Sequence, residues 1–202
     1  IAQVMYQKFV MGIPFARQER DWYRLGLVLP RNVMANWVIR CCQEWLEPLY
    51  WRILEMLAAC GVLHMDETRI QCNKEAGKKA SSESFIWVIR SAACEEIQAA
   101  FFYYSQTRSG DTAKELLENF HGYLVTDAYS GYEKVEHIIR SLCWAHVRRY
   151  FIESIPLDNS GKELSGSKGA EGREFINLLF KVEKEIKDLS YEEKKQKRQE
   201  AS

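Results

Sequence analysis

The sequence predicts an α/β chain in three parts: a helical block over residues 1–60, a β-β-β-α-β-α-β-α unit over 61–155, and a loop with the start of a helical insertion over 156–202. Three observations carry this reading. Before Gly61 apolar residues recur at helical spacing, after it they gather in short runs rich in β-branched and aromatic residues, and a Gly- and Ser-rich break follows residue 155.

In the first block, "IAQVMYQKFVMG" stops at Gly12 and Pro14, and "FARQERDWYRLGL" forms a second helix ended by Gly26. Pro30 and Pro48 sit where a first helical turn tolerates proline, so each is expected to start a helix. The first of these carries Val33, Trp37 and Cys41 on one stripe, the second Leu49, Ile53, Met56 and Leu57. The pair flanking Gly26 has the form of a helix-turn-helix. Beyond Gly61, "GVLHMDETRIQC", "SFIWVIRS" and "IQAAFFYYS" read as consecutive antiparallel strands. A helix capped by Ser109 or Asp111 follows, then "GYLVTD" as a fourth strand, a short helix near "GYEKVE", "HIIRSLC" as a fifth strand and "WAHVRRYFIES" as a helix. After the break, Phe175, Leu179, Val182, Ile186 and Leu189 mark one more helical stripe, and Ser190 with Glu193 forms a capping box before an apolar-poor last helix.

Lys plus Arg and Asp plus Glu are equal at 28 each, so overall charge decides nothing about a nucleic-acid partner. Residues 1–50 hold six basic against four acidic residues, a mild excess that permits DNA contact, with Arg17, Arg20, Arg24 and Arg31 as candidates for phosphate. The six cysteines show no Cys-x-x-Cys pair, which suits free thiols in a reducing cytoplasm. No apolar stretch has the length of a membrane span, so no membrane partner is expected. The chain opens on Ile1 rather than Met, the mark expected of a piece of a longer protein.

Two acids stand out. Asp66 lies inside the first predicted strand and Asp127 at the tip of the fourth, and an acid within a strand is costly unless it is paired, hydrogen-bonded or bound to a cation. By analogy with ribonuclease-H-like sheets the fourth strand lies beside the first, which would bring both carboxylates to one divalent metal. The plainer alternative has Asp66 answering Arg69 or His64 and Asp127 capping its turn. Cys143 and His146 have a Cys-x-x-His spacing, but zinc needs four ligands and no second cluster supplies them. A structural junction is the simpler role, with Arg148 and Arg149 free to meet phosphate.

The stretches "FARQERDWYRLGLVLPRNVMANWV", "LHMDETR", "SFIWVIRS", "LVTDAYSGY", "CWAHVRRYF" and "LLFKVEKEIKDLS" together resemble the bacterial transposases of insertion sequence 66, whose catalytic domain is ribonuclease-H-like and of Asp-Asp-Glu type. The resemblance implies that Asp66 and Asp127 are the first two members of a metal-binding triad. The third, a Glu, would follow an adjacent Asn pair that this sequence lacks, so it is expected beyond Ser202; Glu153, Glu174 and Glu183 lack that context, and Glu153 is the fallback. It further implies two Mg²⁺ ions, with Mn²⁺ as substitute, cleavage and transfer of DNA strands at transposon ends, and a homo-oligomer on DNA in the bacterial cytoplasm. The fragment alone is expected to be inactive. The alternatives are a non-catalytic DNA-binding remnant or repressor, and a related nuclease that cuts without joining.

Overall fold

The computed structural model describes residues 1–164 and 166–201. Four helices come first: α1 (Ala2–Phe9), α2 (Phe15–Arg24), α3 (Arg31–Cys41) and α4 (Glu47–Ala58). The strands are β1 (Val62–Gln71), β2 (Glu83–Ser91), β3 (Ala100–Ser105), β4 (Tyr123–Thr126) and β5 (Ile139–Leu142). Between and after them lie α5 (Gly110–Leu116), a 3-10 turn (Ser130–Lys134), α6 (Trp144–Glu153), α7 (Lys168–Glu185) and α8 (Tyr191–Ala201). The order β-β-β-α-β-α-β-α is the expected one, its second helix being the 3-10 turn.

The sheet runs β3-β2-β1-β4-β5. β1 pairs antiparallel with β2 and parallel with β4, and β4 is parallel to β5. This is the ribonuclease-H-like arrangement, with the fourth strand beside the first. Along β1 the pleat buries Leu63 and Met65 on one face and leaves His64 and Asp66 on the other. The buried face meets Trp87, Ile89, Phe101, Leu116, Phe120, Leu124 and Tyr132 in the main core. α4 closes part of this core with Leu57, and its Tyr50 hydroxyl donates to the Phe102 carbonyl at 2.7 Å.

The N-terminal helices hold a second, smaller cluster of Val4, Met34 and Val38. The expected stripe of Val33, Trp37 and Cys41 is therefore displaced by one position, because α1 and α2 approach α3 from the side of Met34. Buried Gln18 ties this block together by donating to the carbonyls of Val4 and Ile13 at 3.3 and 3.0 Å. Pro48 sits in the first turn of α4, as expected of a helix start, although the chain does not leave helical geometry before it. A π-helical turn, Cys42–Leu46, joins α3 to α4, and the Glu47 amide reaches back to the Cys42 carbonyl. The wider turn accommodates a proline that has no amide proton to give and whose ring crowds the preceding turn. On α4 Leu57 is buried while Leu49 is exposed, and on α7 Ile176 is buried while Phe175 is exposed. In both helices the neighbour, rather than the sequence period, selects the inner residues.

Caps follow their chemistry. Ser109 caps α5 by accepting from the Asp111 amide, and the Ser190–Glu193 capping box forms, with Ser190 N–H donating to Glu193 at 2.9 Å. α8 buries none of its described residues, and no helix among the described residues is long and apolar enough to cross a membrane. The cysteines are free thiols.

One close approach fixes the loops above the sheet. Gly110, at the start of α5, lies against Gly131 so closely that a Cβ on Gly110 would stand 2.3 Å from the Gly131 carbonyl oxygen. Gly110→Ala is therefore expected to destabilise the fold by about 1–3 kcal/mol in urea unfolding despite alanine's better helix propensity. A variant as stable as the parent would show that this approach is not tight.

Candidate active site

The parallel register of β1 and β4 pairs Val62 with Tyr123, Leu63 with Leu124 and His64 with Val125. Asp66 lies two residues beyond the last β1 position in this pairing, and Asp127 two residues beyond the last β4 position, as the first residue past that strand's end. The strand order expected for this pair is present, with β4 beside β1 and the paired positions ending at His64 and Val125.

The two acids are held differently. The Asp66 side chain is 54% exposed; one oxygen accepts from the Glu67 amide at 2.9 Å, and the other lies 3.4 Å from His146 Nε2. The Asp127 side chain is 13% exposed and closes an Asx turn, accepting from the Tyr129 amide at 2.9 Å. Its turn is also braced from β5. Arg140 donates to the carbonyls of Asp127 and Tyr129 at 2.8 and 2.9 Å and to the Thr126 hydroxyl at 3.1 Å. So the plainer expectation for Asp127, a turn cap, is met, whereas Asp66 answers His146 rather than Arg69 or His64.

Four further residues complete the site, and sequence reasoning assigns none of them to it. Glu67 follows Asp66 and points to the opposite face, where its side chain is 1% exposed. One of its oxygens accepts from the Tyr132 hydroxyl at 2.5 Å and the other from Arg108. Arg108, 36% exposed, stands with one guanidinium nitrogen 3.5 Å from Asp127 and with its plane over the Tyr129 ring, 4.0 Å from the centroid. Burial works against the Arg108 charge, yet the hydrogen bond and charge of Glu67, then Asp127 and Tyr129, outweigh it and raise its pKa. Burial first, then the Glu67 hydrogen bond and the charges of Glu67, Asp127 and Asp66, push the Tyr132 hydroxyl far above its usual range. Tyr132 thus senses all three carboxylates. The fourth, His146, turns toward Asp66 from the first turn of α6, and its Nδ1 is buried without a hydrogen-bond partner among the described residues. A cavity of about 320 Å³ opens here, lined by His64, Asp66, Arg90, Val125, Cys143 and His146. Burial and then Arg90 lower the pKa of His64 within it.

Among the described residues no three His, Cys, Asp or Glu side chains are grouped to hold a metal ion. Glu153 ends α6 seven residues beyond His146, about 10 Å further along the helix axis. Glu183 gives both oxygens to Arg198, and Glu174 pairs with Arg173. Arg148 is not free. Its Nε donates to Asn177 at 2.8 Å and ties α6 to α7, while Arg149 is exposed. Arg17, Arg20, Arg24 and Arg31 lie on α2 and at the start of α3, where Glu19 accepts from the Arg31 amide at 2.9 Å and so caps α3 from its neighbour. Arg20, Arg24 and Arg31 are exposed.

A family model described as Transposase IS66 family matches residues 1–202. The Sinorhizobium fredii protein named "Uncharacterized protein y4jD" is 26% identical over 214 residues, covering 98% of this chain and 40% of the relative. A second protein of that organism, "Uncharacterized protein y4hP", is 29% identical over 223 residues, covering 100% of this chain and 39% of its own length. The chain thus spans about two fifths of the length of these relatives. A solved structure, "Drosophila P element transposase strand transfer complex", matches with a TM-score of 0.37 and 16% identity over 90% of this chain and 52% of that one.

The buried carboxylate of Glu67 makes Tyr132 the most sensitive hydroxyl of the site. Tyr132→Phe is expected to cost about 1.5–3 kcal/mol in urea unfolding, as for removal of a hydrogen bond to a charged group. A change within about 0.5 kcal/mol would place a substitute donor on Glu67.

Proposed function

The chain belongs to the Transposase IS66 family, and from that premise we propose that it is the central part of a DNA transposase in which Asp66 and Asp127 hold the catalytic divalent cations. The observation that supports this most directly is the parallel pairing of β1 with β4, whose register, if extended two residues past its last pair, would bring Asp66 and Asp127 opposite each other. Their chemistry fits the ion. Both offer only oxygen, each keeps lone pairs beyond its protein hydrogen bonds, and Mg²⁺ is commonly held by one or two carboxylates with water and substrate phosphate, Mn²⁺ serving as substitute. A third carboxylate, contributed from outside residues 1–202, completes the proposed set.

When bound, the cations would supply neutralisation of the developing phosphorane charge and activation of the attacking oxygen. The chain's own residues do the rest. Asp127 enters the site with its backbone fixed by Arg140 and its side chain fixed by the Tyr129 amide. Asp66 is steadied by His146. A water first attacks the phosphorus at the transposon end in line with the leaving 3′-oxygen; the freed 3′-hydroxyl then attacks a target phosphodiester in the same way, so no protein–DNA covalent bond is needed. Arg17, Arg20, Arg24, Arg31 and Arg149 contact DNA phosphates, and two ends cut together call for a homo-oligomer. In this reading residues 1–60 form the DNA-binding block, 61–155 the catalytic core and 156–202 the start of a helical insertion.

In the full-length protein, Asp66→Asn and Asp127→Asn are each expected to abolish metal-dependent strand cleavage, by roughly a thousandfold or more, with end binding nearly unchanged. Cleavage retained by either variant removes that residue from the site. Binding without any cleavage by the parent favours the DNA-binding repressor, and cleavage without joining of pre-cut ends favours a plain nuclease. Replacing Arg20 or Arg24 by Ala is expected to weaken DNA binding for all sequences and to lower the slope of log affinity against log salt by about 1 for each phosphate no longer neutralised. An unchanged slope would take that arginine off the DNA.

A further inference from the structure

Glu67 and Arg108 invite a question that the proposed chemistry leaves open. An ion pair with one buried member is seldom a good source of stability, because taking that charge out of water offsets much of the attraction. Here a strand carboxylate whose side chain is 1% exposed meets a guanidinium that reaches beyond it to a second carboxylate. Every other feature of Arg108 limits its freedom. Its guanidinium stacks on Tyr129, its carbonyl accepts from the Tyr129 hydroxyl at 2.6 Å, and the Tyr129 amide in turn donates to Asp127. Two residues along from Arg108, Gly110 presses against Gly131, so the loop before α5 and the turn after β4 are locked together.

We propose that Arg108 is a positioning residue: anchored by buried Glu67, it holds the Asp127 carboxylate in the orientation required for a divalent cation. The proposal rests on the reading of Asp127 as a cation ligand. Arg108 addresses one carboxylate oxygen and the Tyr129 amide the other, so the plane of the carboxylate is set from both sides while each oxygen keeps a lone pair. Carboxylates that bind metals are commonly oriented by such outer hydrogen bonds, and losing one costs roughly ten- to a hundredfold in metal affinity. The planar guanidinium suits this role. It can bridge Glu67 and Asp127 with separate nitrogens, where a lysine ammonium would act as a point charge.

Charge and orientation make opposite forecasts, which allows a clean test. Removing a positive charge beside a cation site strengthens cation binding if only Coulomb forces matter, and weakens it if orientation matters. Mn²⁺ binding to the full-length protein would be measured by electron paramagnetic resonance for the parent, Asp127→Asn, Arg108→Gln and Arg108→Lys, with thermal unfolding of each. The expected result is that Arg108→Gln binds Mn²⁺ about tenfold or more weakly than the parent and that Arg108→Lys stays weak although its charge is kept. Unchanged or tighter binding by Arg108→Gln overturns the proposal. Should Arg108→Gln fail to fold, Arg108→Lys decides, and parental affinity in that variant overturns it. If Asp127→Asn binds as well as the parent, or the parent binds no Mn²⁺, the cation-ligand reading of Asp127 falls and the proposal with it. If Asp127→Asn loses binding while Arg108→Gln does not, only the role of Arg108 falls.

Discussion

The parallel pairing of β1 with β4 is the constraint from which the site follows. β1 lies at the centre of the sheet with β2 on its other side, so both its edges are fixed by backbone hydrogen bonds. A slip of one residue would exchange its two faces and bury His64 and Asp66 where Leu63 and Met65 now pack. The apolar face thus specifies the register, and the proposed pairing of Asp66 with Asp127 depends on it. Site geometry is here a consequence of core packing one residue away.

The same alternation that exposes Asp66 forces Glu67 inward, and much of the surrounding detail answers that burial. A lone buried carboxylate is costly; Arg108 and Tyr132 give this one its hydrogen-bond partners. Trp87 meets Tyr132 edge-on with ring centroids 6.0 Å apart, so the hydroxyl that satisfies Glu67 is itself seated in the core. Hydrophobic packing, the Glu67–Arg108 ion pair and Asp127 form one connected arrangement.

The strands are legible in the sequence because β-branched and aromatic runs bounded by turn residues have few other uses, and Asp66 and Asp127 are legible because an acid in such a run calls for a reason. Sequence is less informative where burial depends on a neighbour. Met34 rather than Val33, and Ile176 rather than Phe175, face inward because of the directions from which α1, α2 and α6 approach, which no single-helix period encodes. Pro48 marks the start of α4 as its chemistry suggests, whereas the π-helical turn before it has no sequence signature of its own. Arg108 sits in a polar loop, "SQTRSGD", and looks like any solvated cation. Glu67 carries a usable signal: two successive acids in one strand must point to opposite faces, so one of them has to be buried or to lie at an edge. His146 stands out in sequence only for its spacing from Cys143, whereas the acid it faces, Asp66, is eighty residues away along the chain.

The central claim is that Asp66 and Asp127 share one cation site. Anomalous X-ray diffraction from crystals of the full-length protein grown with Mn²⁺ addresses it without reference to activity. The account expects an anomalous peak within bonding distance, about 2.0–2.2 Å, of an oxygen from each of the two carboxylates. A peak bound elsewhere, or none with both carboxylates ordered and Mn²⁺ in excess, would contradict it.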